Sequence, residues 1–299
     1  MDKLIFIVGP TGVGKSKIAV KLAKKYNGEI ISGDAFQIYN ELNIGSAKIS
    51  KDEMQGIKHY MINELSYKDS YSVKDFQQKA RALIKDITSR GKLAIVCGGT
   101  GLYINSLLYD YKFNDEEVNE EYNLYLDTLS NDELYMMLSK ADFEACKSIH
   151  INNRKRIIRA LLINHSGIKK SDNIKNQTHE LQYDAKIIGL TMDREKLYTK
   201  INERVDTMFS EGLSNELDIL YYDGVFNLQS MQGIGYKEFK YYYSDEITLE
   251  IVKEEIKRNT RKFAKRQYTW FNNQMDVEWY DVNTDFNEEL ENNIEKWLK

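Results

Sequence analysis

The amino-acid sequence predicts an α/β fold: a parallel sheet flanked by helices, with a helical insertion and a helical C-terminal part. Three observations carry this. An apolar run, Leu4–Val8, leads into a glycine-rich turn with the spacing of a phosphate-binding loop and then into an amphipathic run. Further runs suited to buried strands, Glu29–Ser32, Leu93–Cys97 and Lys186–Leu190, alternate with stretches of helical periodicity, as strands joined by crossover helices do. From Asp115 to Tyr183 the rhythm stops, and short helical patterns follow an acidic opening at Asp115, Glu116, Glu117, Glu120 and Glu121. The chain therefore reads as residues 1–114, the first part of the core; 115–183, the insertion; and 184–299, core completion and C-terminal helices.

The first strand delivers the loop. Gly9, Pro10, Thr11, Gly12, Val13, Gly14, Lys15 and Ser16 fit G-x-x-x-x-G-K-[ST], and Ile18, Ala19, Leu22 and Ala23 give the next helix its apolar face. This strand–loop–helix context makes the core P-loop NTPase-like. Glycines turn backbone N–H groups inward, the helix start adds positive potential, Lys15 adds a full charge, and the Ser16 hydroxyl can ligate Mg²⁺. The loop senses phosphate oxygens only, so a triphosphate and a diphosphate both fit. Farther on, Val73, Phe76, Ala80, Leu83 and Ile87 share one helical face, Ser72 with Asp75 can cap that helix, and Gly91 stops it. The strand Leu93–Cys97 ends in Gly98-Gly99-Thr100-Gly101, with no carboxylate of the kind that orders Mg²⁺ in ATPases. In the last third, helices are expected over Arg194–Glu211, stopped by Gly212; Asn215–Tyr222, stopped by Gly224; and Leu249–Phe271, with an apolar stripe of Val252, Ile256, Phe263 and Trp270.

The 299 residues are 42% hydrophobic, enough to fill a core, and carry a net charge of −4. That balance excludes a surface coated in positive charge, so nucleic acid would have to meet local basic faces. Two exist: Lys155, Arg156 and Arg159 on one helix, and Arg258, Arg261 and Lys265 on another, flanked by Lys262 and Arg266. Either face can also be merely solvated. Cys97 and Cys146 form no disulfide framework, which points to a reducing, cytoplasmic setting. No apolar stretch approaches the ~20 residues of a membrane span. His59, His150, His165 and His179 lack metal-ligand spacing.

Asp34 follows the second strand and should emerge at the same sheet edge as the phosphate loop. A carboxylate beside bound phosphate can take a proton from a nucleophile, cap the next turn, or reach Mg²⁺ through water. The Thr100 hydroxyl can bond an oxygen of the leaving group or stabilise its own turn. The Gln37 amide suits an adenine edge, though an exposed turn residue is the plainer reading. Arg194, starting a helix after the fourth strand, can clamp a phosphate oxygen or remain a surface charge.

In their order, GPTGVGKS, Ser32–Lys48, GIKHYMIN (Gly56–Asn63), Asp69–Ala80, GGTGLY (Gly98–Tyr103), Ile149–Leu161, Gly189–Leu213, IGYKEF (Ile234–Phe239) and TRKFAKRQYTWF (Thr260–Phe271) resemble the bacterial tRNA dimethylallyltransferase family nearly end to end. The sequence departs from the family pattern at Ala35, Ile49 and Gly233, where serine, proline and alanine are usual. The resemblance implies transfer of a dimethylallyl group from dimethylallyl diphosphate to the exocyclic amine of the adenosine 3′ of the anticodon, with Mg²⁺. It implies a channel entered by diphosphate from one side and by the tRNA anticodon stem-loop from the other, in a monomeric enzyme. It gives Asp34 and Thr100 catalytic places, gives Arg194 to the diphosphate, and adds Ala35, Phe36, Gln37, Gly235, Tyr236 and Lys237 to the residues that meet tRNA. Beside it stand a small-molecule kinase, a prenyltransferase acting on free adenine nucleotides, and a non-catalytic RNA-binding protein.

Overall fold

The computed structural model describes residues 1–111, 113, 119–167, 169, 171 and 180–299. The acidic opening at Asp115–Glu117, the boundary expected between residues 114 and 115, and His179 lie outside the described residues. The chain forms two compact units, Met1–Leu108 with Leu181–Lys299, and Tyr109–Glu180.

In the first unit the strands β1 (Lys3–Val8), β2 (Gly28–Ser32), β3 (His59–Tyr60), β4 (Leu93–Cys97), β5 (Asp184–Thr191) and β6 (Glu278–Asp281) make one sheet of order β3-β2-β4-β1-β5-β6, parallel throughout. The central strands β4 and, from Leu4 onward, β1 are apolar and buried at every residue, so no alternation is needed. The edge strands β3 and β6 are absent from the sequence reading for a physical reason. β3 has two residues, and β6, Glu-Trp-Tyr-Asp, is short and half-buried.

Register places the carboxyl ends of β1, β2 and β4 side by side, with Ile7 and Ser32 both opposite Cys97. The turns that follow are laced together: Gly98 N–H donates to Ile7 O (3.2 Å), Gly33 N–H to Cys97 O (2.8 Å) and Thr100 N–H to Gly33 O (3.3 Å). Gly9 holds φ at 132°, and a Cβ there would lie 2.5 Å from Leu190 O, so only glycine lets the loop leave β1 against β5.

The helix Val73–Ser89 has the expected capping box, Ser72 with Asp75, and ends before Gly91 (φ 68°). Its buried face is Phe76, Gln77, Ala80, Ile84 and Ile87, with Ile84 rather than Leu83 pointing inward. The helices Arg194–Ser210, Leu213–Leu220 and Leu249–Gln274 follow. The last buries Val252, Ile256, Ala264, Gln267 and Phe271, which corrects the stripe expected through Phe263 and Trp270.

The second unit packs helices Glu120–Thr128, Asn131–Ala141, Phe143–Cys146 and Arg154–His165 around Leu126, Leu134, Leu138, Ile149, Ile157 and Leu161. Arg154 donates to the carbonyls of Leu126 (3.1 Å), Asp127 (2.8 Å) and Leu129 (2.6 Å), closing the end of the first of these helices. Lys155, Arg156 and Arg159 are exposed.

Candidate active site

The phosphate loop ends on Gly14 in the left-handed region (φ 102°), and the helix Lys15–Lys25 begins with no side-chain cap and no acidic residue in its first turn. Its first N–H groups are thus left for an anion. Lys15 lies half-buried with its ammonium donating to the carbonyls of Gly9 (3.0 Å) and Pro10 (2.8 Å). Burial pulls its pKa from the ordinary 10.5 down to about 8, against the opposing pull of Cys97 and Asp34.

Asp34 and Thr100 face one cavity of about 270 Å³, together with Thr11 and Gly12 of the loop tip, Phe36, Ala47, Arg204, Gly235, Lys237 and Arg266. Asp34 Oδ1 accepts the Phe36 N–H (2.9 Å), so the carboxylate does close its own turn. Burial raises the Asp34 pKa, and the Phe36 amide, the Lys15 charge, the Gln37 amide and the Arg204 charge pull it back. A carboxylate so placed binds a proton more readily than an exposed one. The Ala35 N–H donates to Thr100 Oγ1 (3.2 Å), leaving the hydroxyl proton to point elsewhere.

Ser16, Val13 and Gly14 line a second cavity, of about 1040 Å³, with Lys17, Lys21 and Lys200. Ser16 is exposed in the helix's first turn. Among the described residues no cluster of three His, Cys, Asp or Glu side chains gathers to cage a metal. A hydroxyl at the end of a phosphate-binding loop fits Mg²⁺, which keeps most of its waters and takes few protein ligands.

A family model described as IPP transferase matches residues 37–274. The tRNA dimethylallyltransferase of Anoxybacillus flavithermus is 48% identical over 285 residues, covering 95% of this chain and 92% of that protein. The one from Bacillus anthracis is 49% identical over 286 residues, covering 94% and 91%. The chain belongs to the IPP transferase family. The crystal structure of the tRNA isopentenylpyrophosphate transferase from Bacillus halodurans superposes on this IPP transferase with a TM-score of 0.76 at 42% identity, covering 100% of this chain and 97% of that one. A eukaryotic dimethylallyltransferase acting on tRNA superposes with a TM-score of 0.84 at 28% identity, covering 98% and 78%. The resemblance read from the motifs and the P-loop-like α/β fold are both borne out.

The residues singled out in the sequence of this IPP transferase separate in space. Asp34, Thr100, Phe36, Gly235 and Lys237 share the cavity. Gln37 does not line it: its amide accepts from the Ser32 hydroxyl (3.3 Å) and donates to Ala47 O (3.5 Å). Arg194 is exposed at its helix start, donating to the Tyr198 hydroxyl (3.1 Å), and does not line this cavity. The guanidiniums that do face the cavity belong to Arg204, which donates to Ala47 O (3.2 Å), and Arg266. Tyr236 is completely buried, its hydroxyl donating to Glu216 (2.9 Å) and accepting from Ser46 N–H (3.0 Å). It braces the Asn43–Ser46 turn from inside the protein.

The last basic face also re-sorts. Arg258 is paired with Glu255, and Arg261 donates to Asn202 Oδ1 (2.5 Å). Lys262, Lys265 and Arg266 instead line an open groove with Trp270 and Asn273. The sequence did signal Arg204: it stands among Leu197, Ile201 and Val205 on the buried face of its helix, an arginine where periodicity calls for an apolar residue.

Proposed function

We propose that this IPP transferase moves a dimethylallyl group from dimethylallyl diphosphate to the exocyclic N6 amine of the adenosine 3′ of the anticodon in tRNA, releasing diphosphate. The observation that carries the reading is the common cavity, onto which Asp34, Thr100 and the tip of the phosphate loop all open. The loop amides and Lys15 hold the diphosphate, and Arg204 faces the charge that collects on it as the bond from the allylic carbon to oxygen breaks. Ser16 is the residue that would hold Mg²⁺, which would supply further neutralisation of that leaving group. The Thr100 hydroxyl donates to the bridging oxygen while accepting from Ala35. The adenine nitrogen forms its bond to the allylic carbon and becomes acidic, and Asp34 takes the proton.

An amine inside a base stack cannot reach such a cavity, so the nucleotide must be unstacked at a cost of a few kcal/mol. Phosphate contacts repay it, and the exposed cations Lys262, Lys265 and Arg266 in the first unit and Lys155, Arg156 and Arg159 in the second suit that task. The reaction is assigned to the cytoplasm, and among the described residues no helix is long and apolar enough to cross a membrane. The test is incubation with dimethylallyl diphosphate, Mg²⁺ and either unmodified tRNA, AMP or ATP, followed by mass spectrometry. Prenyl mass on the tRNA alone supports the reading. Prenyl mass on the free nucleotides alone, or phosphate transfer from ATP, overturns it.

A further inference from the structure

Gln267 stands midway along the basic helix Leu249–Gln274 and is only 6% exposed. A neutral amide buried there needs a partner at each end. It finds them in the two turns that flank the cavity: Oε1 accepts the Thr11 N–H (2.8 Å), and Nε2 donates to Gly99 O (2.9 Å). The pairing fixes which end carries the oxygen, because the reverse would set donor against donor and acceptor against acceptor. The fit is close. A Cβ on Gly99 would lie 2.2 Å from Nε2, and one on Gly101 would lie 2.4 Å from the ring of Trp270, farther along the same helix.

Both turns are rich in glycine and have little stiffness of their own. We propose that Gln267 is a positioning residue that holds the phosphate loop and the Thr100 turn in one register, so that a diphosphate on the loop presents its bridging oxygen to the Thr100 hydroxyl. The assignment rests on the transfer reaction proposed above. It also gives the helix that bears Lys262, Lys265 and Arg266 a direct hold on the donor seat.

Only a side chain that accepts at one end and donates at the other satisfies both turns. Leucine leaves the Thr11 N–H and the Gly99 carbonyl unpaired. An ionised glutamate accepts from Thr11 but sets negative charge against the Gly99 oxygen, whereas a protonated glutamate donates its hydroxyl proton to Gly99 and restores both bonds. The experiment uses the full chain as Gln267→Leu and Gln267→Glu. It measures kcat and KM for dimethylallyl diphosphate and for tRNA, the affinity for inorganic pyrophosphate with Mg²⁺ by calorimetry, and the activity of Gln267→Glu relative to the native protein from pH 8 to pH 6. The charged groups on the same cavity, Asp34, Arg204, Lys237 and Arg266, with Lys15 in the loop itself, are present in both proteins, so whatever they contribute to the pH profile cancels in that ratio.

Gln267→Leu should lower kcat/KM for the diphosphate by about 10- to 100-fold with KM for tRNA unchanged, the scale of two lost hydrogen bonds. The Gln267→Glu ratio should climb as pH falls. Native-like pyrophosphate affinity and kinetics in Gln267→Leu overturn the proposal, as does a flat pH ratio in Gln267→Glu, which decides the matter if the leucine variant does not fold. Should the native protein bind pyrophosphate yet transfer no prenyl group, the reaction fails, while the pyrophosphate affinities still judge Gln267.

Discussion

Asp34→Asn separates proton acceptance from everything else this residue does. Asparagine keeps the oxygen that accepts the Phe36 N–H at 2.9 Å, so the turn carrying Ala35 and Phe36 is retained, and with it the amide that reaches Thr100. What disappears is the proton-accepting carboxylate. Losing a general base costs about 10²–10⁴ in rate, which at 1.36 kcal/mol per decade is about 2.7–5.4 kcal/mol of barrier. The loss should fall on kcat. Removing a negative charge that is electrostatically coupled to Lys15 and Arg204 favours a dianionic ligand, so KM for dimethylallyl diphosphate should stay level or drop. Single-turnover assays with labelled dimethylallyl diphosphate and excess enzyme read the step directly. The native protein must ionise Asp34 to work, and burial raises its pKa, so the acid limb of the pH profile should lie above that of an exposed aspartate and vanish in the variant. A folded Asp34→Asn protein within tenfold of native turnover, or one that retains the acid limb, would refute the assignment.

Other outcomes follow from the same geometry. Lys15 loses its proton as pH rises through about 8 in the free protein, so kcat/KM for the diphosphate should fall above that pH, while kcat at saturation, where bound anion holds the proton on, should not. Gly233→Ala places a Cβ 2.8 Å from the Phe36 ring and should cost about 1 kcal/mol in urea denaturation; Phe36→Met added to it should recover most of that loss, since the two residues touch. Glu29 is nearly buried, with Arg90 at 2.7 Å, Lys92 at 2.6 Å and the Tyr60 hydroxyl at 2.7 Å. Its hydrogen bonds to Arg90 hold the carboxyl well below its ordinary 4.5. The contribution is therefore complete above pH 4.5 and disappears as pH falls through the folded-state value. Glu29→Gln should lower stability by about 1.5–3 kcal/mol at neutral pH, with the gap from the native protein closing on acidification.

Legibility in the sequence followed the reach of each interaction. The phosphate loop and the Ser72–Asp75 cap are local patterns, written within a few residues, and they appear where the spacing put them. The central strands are legible because burial on both faces leaves the apolar runs Leu4–Val8 and Leu93–Cys97. Asp34 and Thr100 could be placed at one sheet edge from parallel topology alone. Arg204 and Gln267 could not, since the first reaches the cavity and the second the two turns beside it from helices far along the chain, and their polarity on buried faces was the available sign. The hydrogen bonds of Tyr236 were not legible either: its hydroxyl meets Glu216 and the Ser46 amide, both distant in sequence. On the basic helix, positive charge is plain from composition and the Glu255–Arg258 pair is an i,i+3 spacing, but the Arg261 contact with Asn202 depends on a second helix that periodicity does not reveal.

The chain leaves the first unit after Leu108 and re-enters it at Leu181, and the Gln182 N–H donates to Leu108 O at 2.9 Å. On the other side of the junction, the Asp110 N–H donates to Glu180 O at 3.1 Å. Exit and return are thus stitched together like the neck of a purse. Closing that neck in the first unit demands no long excursion, so a short hairpin turn could join Leu108 to Leu181 and leave β5 to find its place beside β1. The intervening helices can accordingly be trimmed, enlarged or exchanged between relatives at little expense to the sheet that carries the chemistry.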